Sequence, residues 1–213
     1  MTALKEAAAK KALDYILPNL ESDTVLGIGT GSTSEIFIDL LKDHKHLFKG
    51  VVSSSKRSTK KLESFGIKVF DVNEVNEVPY YIDGADECDP SHNLIKGGGG
   101  AHTKEKILAT IAKEFICIID ESKLVQKLGS FGVPIEVFYE ARSFASREIV
   151  KLGGTPHLRV GMLTENNNPI VDVKNLELSH PEISEEALNN IPGVVENGIF
   201  AKRKPDHVFV GKE

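Results

Sequence analysis

Thr24–Leu41 reads T-V-L-G-I-G-T-G-S-T-S-E-I-F-I-D-L-L, and its order of residue types decides the architecture of the chain. Thr24 to Ile28 is a short β-branched run, which favours an extended strand. It enters G-I-G-T-G-S-T at Gly27 to Thr33, after which Ile36, Phe37, Leu40, Leu41, His44 and Leu47 recur at helical spacing. Strand, glycine turn and helix follow one another. The start of such a helix offers N–H groups without intrahelical partners and the positive end of the helix dipole, with the Ser32 and Thr33 hydroxyls beside them. An anion site results. The dinucleotide fingerprint is incomplete, because its third glycine is missing and the next strand runs out in Ser53-Ser54-Ser55 where an acidic ribose-binding residue belongs. A single phosphate suits the loop better; a plain tight turn is the bland alternative.

The same rhythm continues on either side. Leu4 to Leu20 carries Leu4, Ala8, Ala12, Tyr15 and Ile16 on one helical face, and Pro18 with Ser22-Asp23 ends it. Gly50 to Ser54 reads as the second strand, Ser58 to Phe65 as a helix stopped by Gly66, Ile67 to Val72 as the third strand and Tyr80 to Ile82 as the fourth. Lys104 to Phe115 is predicted helical through Ile107, Leu108, Ile111, Ala112 and Phe115, and Ile116 to Ile119 is the fifth strand, ending at Asp120. Alternating strands and helices imply a doubly wound, mostly parallel, Rossmann-like α/β sheet, with ligands outside the carboxyl ends of the strands. Gly29 to Thr33, Asp83 to Asp86 and Asp120 to Lys123 all fall at such ends and are expected to converge on one crevice. From Pro134 the order becomes β-α-β-β-α-β, with Ile135 to Phe138, His157 to Leu163, Ile170 to Leu176 and Gly193 to Glu196 extended and Arg142 to Leu152 and Glu182 to Asn190 helical. That is the pattern of a small ferredoxin-like α+β unit. Asp206 to Val210 is a further strand returning to the first sheet. The expected division is a Rossmann-like domain over 1–130, rejoined by 199–213, and a smaller domain over 131–198 serving as a lid or an oligomer contact.

Composition excludes several classes. The 213 residues are 40% apolar, enough for a packed core, and carry a formal charge of −5. No dense Lys/Arg run exists to meet nucleic acid; Lys10-Lys11 and Lys202-Arg203-Lys204 read as solvated faces, as do His44 and His46. No apolar run approaches the roughly 20 residues of a membrane span, and the N-terminus reads as an amphipathic helix. Cys88 and Cys117 fit a reducing compartment, with no spacing that suggests a disulfide framework or zinc site. Cys117 lies in an apolar strand and reads as core; Cys88 has no base at a spacing that would make it a nucleophile. A cytoplasmic address is expected.

The chemistry concentrates in Tyr80–Lys106, Y-Y-I-D-G-A-D-E-C-D-P-S-H-N-L-I-K-G-G-G-G-A-H-T-K-E-K. An apolar run stops in Asp83, Asp86 and Glu87; Lys96 leads into Gly97 to Gly100; a helix start then carries Glu105. Four consecutive glycines sacrifice more backbone entropy than an ordinary turn requires, so the segment needs positive φ or close approach of its amides to a ligand. Asp83-Gly84-Ala85-Asp86-Glu87 reads equally as a polar turn after a strand; a divalent metal there lacks a nearby His or further carboxylate at ligand spacing. Lys96 is either an exposed loop lysine or, with the glycine amides, the cation facing a developing oxyanion. Glu105 stands in a first helical turn, where the dipole alone favours a carboxylate; about a quarter turn from the buried stripe, it can also reach a crevice and act as a carbon-acid base. His102 reads as a loop or orienting residue, and Lys123, after Ser122, as a surface lysine or a second phosphate cation.

G-I-G-T-G-S-T, Y-I-D-G-A-D-E, I-K-G-G-G-G-A-H-T-K-E-K, I-I-D-E-S-K, P-I-E-V and P-G-V-V-E-N-G-I-F, in this order, resemble ribose-5-phosphate isomerase of the A type over nearly the whole chain. The resemblance implies interconversion of ribose 5-phosphate and ribulose 5-phosphate in the pentose phosphate pathway, a phosphosugar substrate, no metal or organic cofactor, and a homodimer or larger homo-oligomer. Carried over by position, the catalytic base falls on Glu105, the D-G-A-D aspartates on Asp83 and Asp86, and the oxyanion lysine on Lys96. The phosphate loop falls on Thr30, Gly31, Ser32 and Thr33 with Lys123. Gly84, Ala85, Gly97, Gly98 and Gly99 then lie against substrate, and Lys5 is a further phosphate candidate because the first helix shares a Leu-Lys start. One departure stands out: where the family often has a leucine and an arginine before the glutamate, this chain has His102 and Lys104 flanking Thr103. The rival readings are a non-catalytic sugar-phosphate sensor, which would usually carry a DNA-binding appendage, and an amino-sugar-phosphate deaminase or coenzyme A transferase on a similar fold.

Overall fold

The computed structural model describes residues 2–212. Along the chain the elements are α1 (Thr2–Ile16), β1 (Val25–Ile28), α2 (Ser32–Leu41), β2 (Gly50–Ser53), α3 (Lys56–Ser64), β3 (Val78–Asp83), β4 (Glu87–Cys88), β5 (Leu94–Ile95), α4 (His102–Ile111) and β6 (Ala112–Asp120). β7 (Val133–Val137), α5 (Arg142–Lys151), β8 (Thr155–Leu163), β9 (Pro169–Lys174), α6 (Pro181–Asn189), β10 (Val194–Asn197), β11 (Ile199–Phe200) and β12 (His207–Gly211) follow. Two compact units result. One comprises Met1–Gly84, Ile107–Ser122 and Pro205–Glu213, the other Ala85–Lys106 and Lys123–Lys204.

The first unit is a five-stranded parallel sheet in the order β12-β6-β3-β1-β2. Starting from β1 the chain first adds β2 on one side and then β3 on the other. The switch point of this α/β sheet therefore lies between β1 and β3, where such sheets bind ligands. Its core joins Leu26 and Ile28 of β1, Ile82 of β3 and Ile116 and Ile118 of β6 to Ala8, Ala12 and Ile16 of α1 and Phe37, Ile38 and Leu41 of α2. Cys117 of β6 is fully buried, as its apolar strand predicts.

The second unit holds a four-stranded antiparallel sheet in the order β10-β7-β9-β8, with α5 and α6 as its two crossovers. Numbered within the unit the order is 4-1-3-2, the ferredoxin-like arrangement of β-α-β-β-α-β. Ile135, Val137, Val171 and Val173 of the sheet pack on Ala145 and Ile149 of α5 and Leu188 of α6. Among the described residues no helix is long and apolar enough to cross a membrane.

Two local expectations differ, and one small sheet was not expected. The predicted third strand over Ile67 to Val72 reduces to a single parallel bridge, Val51 with Val69. Val51 N–H donates to the Lys68 carbonyl and Phe70 N–H to the Val51 carbonyl, after which Asp71 caps a short 3-10 turn and the pairing ends. The boundary between α4 and β6 lies at Ile111–Ala112 rather than after Phe115. Lys113 to Ile116 is propelled into extension because Val78 of β3 already pairs with Ala112, so tertiary pairing overrides the helical spacing of Phe115. A small sheet in the order β11-β5-β4, made of two-residue strands, has no periodicity long enough to be read in advance.

Candidate active site

Gly31 is the N-cap of α2 with φ 113°, a left-handed conformation open to glycine, and no side chain caps this end of the helix. A Cβ added at Gly31 would meet nothing within 4 Å, so the loop opens to solvent. The first-turn N–H groups of α2 thus stand at an open loop. Lys5 of α1 reaches the same place, its Nζ donating to Ser32 Oγ at 2.9 Å. From behind, Ser54 bonds the Thr30 hydroxyl at 2.7 Å and Ser58 Oγ donates to the Gly29 carbonyl at 2.8 Å. Ser54, which stands where an acidic ribose-binding residue would belong in a dinucleotide site, therefore braces the loop together with Ser58.

Asp83 ends β3 beside this loop and is completely buried. Its Oδ1 accepts from Thr30 N–H at 3.0 Å, Ser34 Oγ at 3.0 Å and Gly84 N–H at 2.7 Å, and the Tyr81 hydroxyl donates to Oδ2. The carboxylate can lie there only because residue 29 is glycine: a Cβ at Gly29 would fall 1.9 Å from Asp83 Cγ. Gly84 sits next to Thr33, whose Cβ is 4.0 Å from the position of an added Gly84 Cβ.

The second unit assembles the other residues. Lys96 follows β5 with 2% of its surface exposed, and Glu105 lies in the first turn of α4 with 4% exposed. Lys96 Nζ stands 3.2 Å from Glu105 Oε2 and 5.6 Å from the centre of the Phe200 ring. A surface-lysine reading of Lys96 is thereby overturned. Gly97 and Gly100 take φ 107° and 71°, and Gly100 N–H closes a turn on the Gly97 carbonyl at 3.0 Å. Half-buried Asp86 takes the Gly98 N–H at 2.9 Å. Two of the four glycine amides are therefore committed; among the described residues those of Gly97 and Gly99 have no hydrogen-bond partner in the protein. Ala85 is half-buried between the two aspartates in sequence, and Lys123 is half-buried in a 3-10 turn after β6.

α4 buries its polar side. His102, Glu105 and Lys106 are buried with Leu108 and Ala109, whereas Ile107 and Ile111 are 47% and 44% exposed, so only part of the predicted hydrophobic stripe faces inward. Each buried charge has its partner: Lys106 Nζ meets Glu185 Oε1 and Glu196 Oε1 at 2.9 Å and the carbonyls of Asn197 and Ile199 at 2.8 and 2.7 Å. At the helix start Thr103 Oγ1 bonds Glu136, a fully buried carboxylate that also accepts from Thr164, Asn166 and Asn168. Those hydrogen bonds outweigh its desolvation and hold its pKa below the ordinary carboxylate value. His102 is no loop residue. It opens α4 and is fully buried, and desolvation lowers its pKa to about 4 against the opposing pull of Glu136. Burial raises the Cys88 thiol to about 11, which removes it as a nucleophile.

Residues 50–213 match the family model of ribose 5-phosphate isomerase A (phosphoriboisomerase A). The chain belongs to the ribose 5-phosphate isomerase A family. It is similar to ribose 5 phosphate isomerase A from Neisseria gonorrhoeae at 44% identity and a TM-score of 0.94, covering 100% of this chain and 93% of that one. The enzyme from Methanocaldococcus jannaschii is 37% identical with a TM-score of 0.90, over 98% of this chain and 94% of that one. A D-ribose-5-phosphate isomerase in complex with phospho-erythronic acid is also 37% identical, with a TM-score of 0.88 over 97% and 93% of the two chains.

Within this family frame, the residues that sequence reasoning overlooked are those that act through others. Ser54, Ser58 and Tyr81 fix the Gly29–Thr33 loop and Asp83, while Lys106 and Glu136 grip the helix on either side of Glu105. A buried lysine one position after a candidate base, in a helix whose isoleucines are displaced outward, leaves no local signature.

Proposed function

We propose that this chain interconverts D-ribose 5-phosphate and D-ribulose 5-phosphate, with Glu105 as the base. The observation that carries this reading is the buried Lys96–Glu105 pair at 3.2 Å, set on the glycine run. A carboxylate beside a fixed cation and open amides has what a carbon acid requires: a base for the C–H proton and positive groups for the oxyanion left behind.

The sugar phosphate binds through Thr30, Gly31, Ser32 and Thr33 at the start of α2, with Lys5 and Lys123 as cations. Asp83 assists ring opening, giving the open-chain aldehyde. Glu105 then removes the proton from C2, and the electron pair passes onto the C1 carbonyl oxygen to form a cis-enediolate. Lys96 and the open amides of the glycine run balance its charge. Transfer of the hydroxyl proton from O2 to O1, assisted by Asp83, and delivery of a proton from Glu105 to C1 yield the ketose. Asp86 orients the glycine run and the sugar hydroxyls. The steps move protons only, so no redox cofactor is consumed. Phospho-erythronic acid, with which one relative was solved in complex, is by its own chemistry a phosphorylated sugar acid whose carboxylate resembles an enediolate, and it is the natural probe here.

Incubation with ribose 5-phosphate in D₂O should give ribulose 5-phosphate carrying solvent deuterium at C1. Glu105→Gln should abolish both while leaving phospho-erythronic acid bound. Turnover of Glu105→Gln near the wild-type rate would remove Glu105 as the base, and binding without isomerisation by the wild type would make the protein a sensor. We further propose a cytoplasmic homo-oligomer, a dimer or larger, that uses segment 131–198 as its contact. Exposed Phe138, Tyr139, Val160 and Ile183, at 54%, 63%, 88% and 63%, support this reading. A monomeric mass in sedimentation would reject it.

A further inference from the structure

The glycine run is gripped by opposite charges. Gly98 N–H donates to Asp86 Oδ2 at 2.9 Å, while Arg159 of β8 donates from Nη1 to the carbonyls of Gly97 at 3.2 Å and Gly98 at 3.1 Å. A trans peptide points its N–H and C=O in opposite directions, and no described peptide bond is cis. The peptide joining Gly97 to Gly98 therefore has a carboxylate on its N–H and a guanidinium on its C=O. In the next peptide the Gly98 carbonyl faces Arg159, which turns the Gly99 N–H, one of the two amides without a protein partner, the other way.

Arg159 is itself fixed. Its Nε and Nη2 fork onto Asp172 Oδ2 and Oδ1 of β9 at 2.8 and 2.5 Å, and the two side chains are only 16% and 30% exposed. Such a planar bidentate pair defines orientation as well as distance. Glycines have little conformational preference of their own. Without an outside hold, a run of four would order its amides only as substrate arrived, and a misplaced donor loses much of its effect on a developing charge.

We propose that Arg159, held by Asp172, is a positioning residue for the oxyanion site: it fixes the Gly97 and Gly98 carbonyls so that the Gly99 N–H is aimed in advance, alongside Lys96, at the enediolate oxygen. The inference rests on the reading of Lys96 and the glycine run as the oxyanion holder. Lysine cannot replace arginine there, because a single ammonium cannot fork onto Asp172 and span two carbonyls at once.

The test is Arg159→Ala, with kcat and KM measured separately, inhibition by inorganic phosphate as a reading of the α2 loop, and added guanidinium ion as a chemical rescue. On the order of a hundredfold should be lost from kcat, the scale of a displaced catalytic group. KM and phosphate inhibition should change little, and millimolar guanidinium should restore part of the lost kcat. Arg159→Lys should fall between wild type and Arg159→Ala. A kcat within about threefold of wild type would overturn the proposal, since displaced groups give larger losses; so would a loss that falls on KM alone or that guanidinium leaves unchanged. Should Arg159→Ala fail to fold, Asp172→Asn, which keeps the shape but weakens the fork, should still lower kcat, and an unaltered kcat in that variant overturns the proposal equally. Wild-type protein that does not isomerise ribose 5-phosphate would instead defeat the functional reading itself.

Discussion

Replacing Lys96 by methionine separates stability from catalysis at one position. Methionine fills similar space, but it removes the cation 3.2 Å from Glu105 where the two side chains are only 3% and 5% exposed. Breaking a buried ion pair by deleting one partner typically destabilises by about 3 kcal/mol or more, because the remaining charge stays desolvated. For a chain of this length, about 3 kcal/mol lowers the melting temperature by roughly 6–12 °C. Loss of one oxyanion donor should also reduce kcat by about 10²–10³-fold. Adding Glu105→Gln removes the buried carboxylate that has lost its ammonium neighbour, so Lys96→Met/Glu105→Gln should regain at least half of the lost melting temperature while recovering no activity. Thermal denaturation of the two single variants and the double variant, with kcat for ribose 5-phosphate, completes the cycle. A double variant melting no higher than Lys96→Met would refute the buried-charge argument; a Lys96→Met kcat within tenfold of wild type would refute the oxyanion role.

His102 supplies a pH signature. Its folded pKa of about 4 lies below the ordinary value of 6.5, so the unfolded chain binds more protons between those limits and stability falls as pH drops from 6.5 toward 4, by about 3 kcal/mol in total. His102→Leu should flatten that part of the stability curve; an unchanged slope in urea melts at pH 4.5 and 7 would contradict the assignment. Gly29→Ala places a methyl group 1.9 Å from Asp83 Cγ. It should cost about 1–3 kcal/mol of stability through overpacking and weaken inhibition by inorganic phosphate, and unaltered phosphate inhibition would show that Asp83 does not set the loop.

Much of the fold follows from local chemistry. β1, α2, β3 and the β-α-β-β-α-β segment are legible because β-branched runs, glycine turns and helical spacing act over a few residues. The candidate site is legible in the same way: Thr30 to Thr33, Asp83, Lys96 and Glu105 stand where a strand ends, a helix begins or glycines cluster. The predicted strand over Ile67 to Val72 failed because two hydrogen bonds to β2 are all the edge of the sheet offers it. The two-residue strands β4, β5 and β11 were invisible for lack of any period.

Sequence alone determined which residue types stand at the strand ends and in the glycine turn, since those choices answer to backbone torsion and hydrogen bonding within a few neighbours. Tertiary structure decided which of them are buried and what each one meets. Asp83 lies on Gly29 and Thr30, Arg159 on Gly97 and Gly98, Lys106 on Glu185 and Glu196, and Ile107 faces outward while Glu105 faces in. The physical reason is that a buried charge is tolerated only where a counter-charge or hydrogen-bond donors meet it, and in this chain most of those partners are distant in sequence and become neighbours only after folding.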